Sequence, residues 1–352
     1  MKNLLNRIFD NLTSYVPGEQ PQEKGFIKLN TNENPFGPPQ IILEKIRSKV
    51  DASLRKYPDP QANELRKAIG KIYGFTPEWI FVGNGSDEIL RLSFSAFSSV
   101  NEKIVFLYPS YPLYETISII SDRKPVRIML KKDFSIPESF VEDFNDCMKI
   151  IANPDSPSGR FHSVKKIEKI ASVTKRVVVI DEAYVDFAPY NCLKLVKKFQ
   201  NVIVSRSFSK SFSLAGIRLG YCFGRPELIS ALFSIKDSYN VNILSQAAGI
   251  AAMENYGYVL RNCKKIVKIR EYLAGELNKL NFYVFPSSAN FLLVRPPKDT
   301  AKNLYEFLKQ RKILIRYFWN IKELENFVRI TIGSKKEMKR LLNGIKEFYG
   351  NL

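Results

Sequence analysis

The sequence predicts an α/β fold: a mostly parallel central sheet with helices on both faces, joined to a smaller α+β domain. Three observations carry that expectation. Between residues 80 and 225, short apolar runs rich in Val and Ile recur. Each is followed by a polar or glycine-bearing stretch and then by a helical pattern, the alternation of βαβ units. Runs of four or five consecutive apolar residues suit strands covered on both faces, as in a parallel sheet between helix layers. From about residue 275 the pattern changes to short runs with two helices among them.

Taken in order, residues 1–38 contain "PGEQPQ" and "NENPFGPP" and read as an irregular arm joining the smaller domain. The larger domain is expected over 39–258. "WIFVGNGSDEILRLSFSAF" supplies a strand, a glycine turn and a helix, and "EKIVFLYPSYPLYETISII" repeats the arrangement. "MKIIANPDSPSG" and "RVVVIDEAYVDF" add two strands with polar ends, and "NVIVSRSFSKSFSLAG" adds a fifth. A long helical stretch begins near residue 241. The smaller domain, 259–352, runs through "FYVFPSSANFLLVR", a helix near 300–311, "ILIRYF" and "FVRITIG" to a terminal helix.

The totals narrow the function. At 352 residues and 45% hydrophobic content, the chain can bury a sizeable core. Its net charge of +19 invites a nucleic-acid reading, but the lysines are spread along helical segments as solvated faces. No zinc-finger, basic-zipper or RNA-binding signature accompanies them, so no nucleic-acid partner is expected. A basic surface instead steers anionic small molecules inward. Cys147, Cys192, Cys222 and Cys263 form no CxxC and read as reduced thiols. With His162 the only histidine, His-based triads and metal sites are set aside, and no metal is expected. The first residues lack the apolar core of a signal peptide and no run reaches membrane-span length, so the expected location is cytoplasmic.

Ligands of open α/β sheets bind beyond the carboxyl ends of the strands. That rule gathers Gly83 to Asp87, Tyr108 to Tyr114, Asn153, Asp181 to Tyr184 and Ser205 to Lys210 at one edge. Taken singly these residues are bland: Ser86 or Asp87 as an N-cap, Asp181 as a turn residue, Lys210 as a surface lysine. Together they are not. Ser207, Ser209 and Arg218 suit a phosphate, and "GNGSDE" at a helix start offers free N–H groups to the same anion. A phosphate beside an amine suggests pyridoxal 5'-phosphate, whose aldehyde condenses with lysine. That cofactor wants a carboxylate at its pyridine nitrogen, and Asp181 at the end of "VVVI" can supply it. Asn153 and Tyr184 could bond its phenolic oxygen, and Tyr111 could lie over its ring.

The motifs "KLNTNENPFGPP", "KYPDPQ", "GNGSDE", "ANPDSPSG", "DEAYVDF", "SFSKSFSLAGIRLGY", "SSANFLLVR" and "FVRITIG" occur in order along essentially the whole chain. In them the sequence resembles the fold type I pyridoxal-phosphate aminotransferases of class II, and among these the histidinol-phosphate aminotransferases. The resemblance implies transamination between L-histidinol phosphate and 2-oxoglutarate, giving imidazole-acetol phosphate and L-glutamate. It implies that Lys210 bears the cofactor and shuttles the substrate proton, while Asp181 pairs with the pyridinium nitrogen. Asn153 and Tyr184 would contact the phenolate oxygen and Tyr111 would stack on the ring. Gly85, Ser86, Asp87, Ser207, Ser209 and Arg218 would surround the phosphate. Tyr57 would reach it from the neighbouring subunit of a homodimer with shared active sites.

By the same resemblance, Arg316 and Arg329 would hold the substrate's acidic end, with Asn290, Tyr15 and Glu33 lining the pocket. Two arginine forks suit a dianionic phosphate ester. One departure is the loop "NPDSPSG" where the family has "NPNNPTG"; Asp155 and Ser156 form turns readily, so the loop is expected to survive. A threonine-phosphate decarboxylase or an aromatic amino acid aminotransferase would use the same cofactor residues, and both stay open at this point.

Overall fold

A computed structural model describes residues 18–350. Its first strand, β1 (Ile27–Lys28), leads by an irregular stretch to α1 (Gln40–Arg47) and α2 (Asn63–Tyr73). The run then alternates: β2 (Ile80–Gly83), α3 (Ser86–Phe97), β3 (Lys103–Tyr108), α4 (Leu113–Ile120), β4 (Lys124–Met129). It continues through α5 (Glu138–Glu142), β5 (Met148–Ala152), α6 (Val164–Val173), β6 (Val178–Asp181), α7 (Leu193–Lys198) and β7 (Val202–Ser207). Then β8 (Gly220–Phe223), α8 (Pro226–Ile235), α9 (Ile243–Glu254) and the long α10 (Tyr256–Lys279) close this part of the chain.

The large sheet has the order β2-β8-β7-β6-β5-β3-β4. All its neighbours are parallel except β8, which runs against β2 and β7. The predicted class is therefore observed. Two strands complete the sheet beyond those read from the sequence. The edge strand β4 is only partly buried, so it lacks the continuous apolar run that marks β5 to β7, and β8 is four residues long.

Period-two alternation sends the side chains of each strand to opposite faces. Val178, Ile180, Val202 and Val204 join a core built with Leu65 and Ile69 of α2, Ile167 of α6 and Ala248 of α9. Val179, Ile203 and Phe81 enter a second core with Ile89 and Phe94 of α3, Ile117 of α4 and Leu232 of α8. Both faces are thereby covered, which is why the strands read as unbroken apolar runs.

The remaining elements are β9 (Tyr283–Val284), β10 (Phe291–Arg295), α11 (Ala301–Gln310), β11 (Ile313–Leu314), β12 (Arg316–Tyr317), β13 (Val328–Thr331) and α12 (Lys335–Gly350). Four of them form an antiparallel sheet in the order β12-β13-β10-β9. The arm is stitched to this region: β1 pairs in parallel with β11, and Thr331 N donates to Leu29 O at 2.9 Å. No helix of the described residues is long and apolar enough to cross a membrane.

Candidate active site

Three segments meet at the carboxyl end of the large sheet because β8 lies between β2 and β7. Gly220 of β8 is in register with Gly83 on one side and with Ser207 on the other. A Cβ on Gly220 would stand 2.5 Å from Ser86 N and 2.6 Å from Gly85 C, so only glycine lets the turn before α3 lie against this strand. Gly85 itself has φ +82°, and a Cβ there would meet Arg218 Nη2 at 2.8 Å. The start of α3 and the Arg218 guanidinium are thus pressed together. Arg218 donates to Asp87 Oδ2 at 2.9 Å and lies 3.5 Å from Ser209 Oγ, while Ser209 N donates to Ser207 Oγ at 3.0 Å. The outcome is an anion cradle of N–H groups, hydroxyls and one arginine fork.

Asp181 ends β6, beside Ser205 of β7, and is 6% exposed. Burial pushes its carboxyl up to about 6; the Tyr114 hydroxyl and Ala183 N–H, which donate to it at 2.7 and 3.2 Å, offset part of that rise. Tyr114 is itself buried on α4 and meets Tyr111 edge-on at 5.6 Å, while Tyr111 OH donates to Asp87 Oδ1 at 3.4 Å. A hydrogen-bonded and ring-packed chain therefore runs from Asp181 to the cradle.

Lys210 sits in a turn anchored by buried Phe208 and Phe212, whose rings are 4.6 Å apart. Its ammonium donates to Thr31 O at 3.1 Å and lies 5.9 Å from the Tyr184 ring centre. Tyr184 OH accepts from Asn32 Nδ2 at 2.9 Å.

Arg316 and Arg329 face each other across the β12–β13 pair, which puts both side chains on one face of the smaller sheet. Both guanidiniums flank Phe318, 5.9 and 5.8 Å from its ring centre. Arg329 donates to Asn30 O at 3.1 Å and Ser156 Oγ at 3.2 Å. Buried Asn290 donates to Asn32 O at 3.0 Å and leaves its Oδ1 without a partner among the described residues.

Several expected residues have partners of their own in the cofactor-free chain. The Asn153 side chain bonds its own loop, with Oδ1 accepting from His162 N at 2.8 Å and Nδ2 donating one of its two hydrogens to His162 O at 3.1 Å. The residue of this loop that reaches Arg329 is Ser156. Glu33 takes a bond from Lys28 Nζ at 2.5 Å. Tyr57 is 79% exposed and stacks on Tyr239 at 4.2 Å. Tyr15 lies outside the described residues. His162 is buried, and burial pushes it down to about 4, so the lone histidine stays neutral.

Sequence reading missed Asn30, Thr31, Asn32 and Asn34 as makers of the site, and it gathered Tyr114 at the sheet edge without its role, the bond to Asp181. The arm supplies the first four, and its run "NTNEN" was a visible signal: five polar residues directly after "FIKL".

The family described as aminotransferase class I and II matches residues 24–345. A histidinol-phosphate aminotransferase of Syntrophus aciditrophicus is 42% identical over 99% of both chains. The chain belongs to the histidinol-phosphate aminotransferase family. Another member, from Citrifermentans bemidjiense, is 41% identical over 96% of each chain. Among solved structures, the histidinol-phosphate aminotransferase of Clostridium acetobutylicum superposes with a TM-score of 0.85 at 30% identity, covering 92% of this chain and 99% of that one. The Sinorhizobium meliloti enzyme, solved in complex with pyridoxal-5'-phosphate, gives 0.84 at 26% identity over 91% and 89%.

Proposed function

We propose that this chain transfers an amino group reversibly between L-histidinol phosphate and 2-oxoglutarate, a step of histidine biosynthesis, with pyridoxal 5'-phosphate as cofactor. The observation that carries this reading is the convergence of an amine, a buried carboxyl and an anion cradle at one sheet edge, Lys210, Asp181 and the Gly85–Arg218 turn. The donor set fits the cofactor. A carboxyl held at the end of a buried strand suits a pyridinium, and a cradle that a single Cβ would fill suits a phosphate. When bound, the cofactor supplies an electron sink for charge developing at the substrate's α-carbon.

The chain's residues would then do the following. Ser207, Ser209, Arg218 and the N–H groups of Gly85, Ser86 and Asp87 grip the phosphate. Asp181 holds a proton at the ring nitrogen, Tyr184 offers its hydroxyl to the phenolic oxygen, and Tyr111 covers the ring. Lys210 carries the cofactor and moves the proton at the α-carbon. Arg316 and Arg329 take the substrate phosphate and, in the second half-reaction, the side-chain carboxylate of 2-oxoglutarate. The names of its close relatives favour transamination over decarboxylation of threonine phosphate.

We further infer a homodimer in which Tyr57 serves the partner's cradle; its 79% exposure, with only a ring stack on Tyr239 to hold it, supports this. Side-by-side assays with histidinol phosphate, phenylalanine and threonine phosphate test the substrate. Transamination should be fastest with the first, and Lys210→Ala should abolish it together with borohydride-fixed cofactor. Retained turnover in that variant would sink the reading.

A further inference from the structure

The backbone of Lys210 is gripped from two sides by residues with no place in the chemistry described above. Asn34 Nδ2 donates to Lys210 O and to Ser211 O, both at 3.1 Å, across 176 residues of sequence. Asn34 Oδ1 accepts from Phe36 N at 3.0 Å, so the amide is oriented by its own turn before it reaches the lysine. From behind, Ser211 Oγ donates to Asp186 Oδ2, whose other oxygen accepts from Tyr256 OH at 3.1 Å. Asp186 therefore ties Ser211 to the first turn of α10.

The turn needs this help. Residues 208–214 form neither helix nor strand; Leu214 N donates to Phe208 O at 3.1 Å across the ends of the turn, but the main-chain bond on Lys210 itself, from Ser213 N to Lys210 O, is long at 3.5 Å. A lysine amine sits at the end of four rotatable bonds, so its reach is defined only as well as its Cα. A displacement of about 1 Å in a reacting group can cost about 100-fold in rate.

We propose that Asn34 is a positioning residue for Lys210, with the Asp186–Ser211 pair as its counterpart on the buried side. The arm then does more than cover the site: it sets where the reacting amine stands. This rests on Lys210 being the reacting amine.

Asn34→Asp separates this role from a purely local one. The carboxylate still accepts from Phe36 N, but it turns an acceptor toward two carbonyl oxygens. In the cofactor-free protein, hydrogen exchange in the peptide spanning 208–214 should rise about tenfold, as loss of two hydrogen bonds implies, with little change in melting temperature. In the loaded enzyme, kcat for histidinol phosphate should fall at least about tenfold with KM within about twofold. Ser211→Ala, which leaves the arm intact, should move both quantities the same way and serves if Asn34→Asp fails to fold. Unchanged exchange, or unchanged kcat, overturns the proposal. If Asn34 merely builds the turn at Phe36, Asn34→Asp will match the wild type and only Asn34→Ala will be impaired. A wild-type protein inactive on histidinol phosphate would instead remove the functional reading, while the exchange measurement still judges the clamp.

Discussion

Asp181 carries a cost in the cofactor-free protein. Burial raises its carboxyl from 3.8 to about 6, and at about 1.4 kcal/mol per pH unit that is about 3 kcal/mol. The folded chain then binds more protons at this group than the unfolded chain does between pH 4 and 6. Its contribution to stability is fully present below pH 4 and is lost as pH rises through 6. Asp181→Asn removes this titration. In thermal unfolding of the cofactor-free proteins, the variant should gain on the wild type as pH climbs from 4 to 7, and its transamination should drop to near zero. A gap in melting temperature that stays flat with pH would refute the assignment. Asp181 and Lys210 were legible because each follows an apolar run, and a strand's end tells where its last residues point. Asn153 and Ser156 were not separable in that way. Both lie in one loop, and only the path of that loop turns Asn153 to His162 and Ser156 to Arg329.

Among the elements, the register of β12 on β13 does what neither strand does alone. It sets Arg316 opposite Arg329, and Arg316 makes no hydrogen bond or ion pair among the described residues that would occupy its fork. Arg316→Ala should therefore cost histidinol phosphate on the order of 2 kcal/mol in kcat/KM, a charge-assisted bond's worth, and phenylalanine much less. Equal losses on both substrates would argue against a phosphate contact. A second element-scale device is the fork of Arg206 on β7, which donates to Glu182 Oε2 at 3.0 and 2.8 Å with both side chains buried. Burial pushes the Glu182 carboxyl up, and the Arg206 guanidinium beside it offsets part of that rise. Glu182→Ala strands a buried guanidinium and should destabilise the protein by about 3–5 kcal/mol in denaturant titration. A loss below about 1 kcal/mol would show the pair to be dispensable.

At the scale of the whole molecule, the proposed shared sites make a prediction that no single chain can satisfy. Lys210→Ala and Tyr57→Ala proteins, each inactive alone, should regain about a quarter of wild-type activity when unfolded together and refolded as a mixture. Each mixed dimer then holds one site with both residues intact. Recovery no greater than the sum of the separate variants would place Tyr57 in its own chain's site or in none.

By itself the sequence determined five of the seven strands of the large sheet, the two helix layers and which loops end at one edge. Strands buried on both faces must be apolar throughout, and the polar residues that break each run must lie at the sheet's edge. What only the tertiary structure decided lies between segments distant along the chain. Asn34 meets Lys210, Arg316 faces Arg329, and Lys149, a lysine inside a buried strand, donates to Phe140 O, Asp143 O and Asn145 Oδ1. Such contacts leave no period in the sequence, because hydrogen bonding depends on where a group ends up in space and not on its spacing from its neighbours.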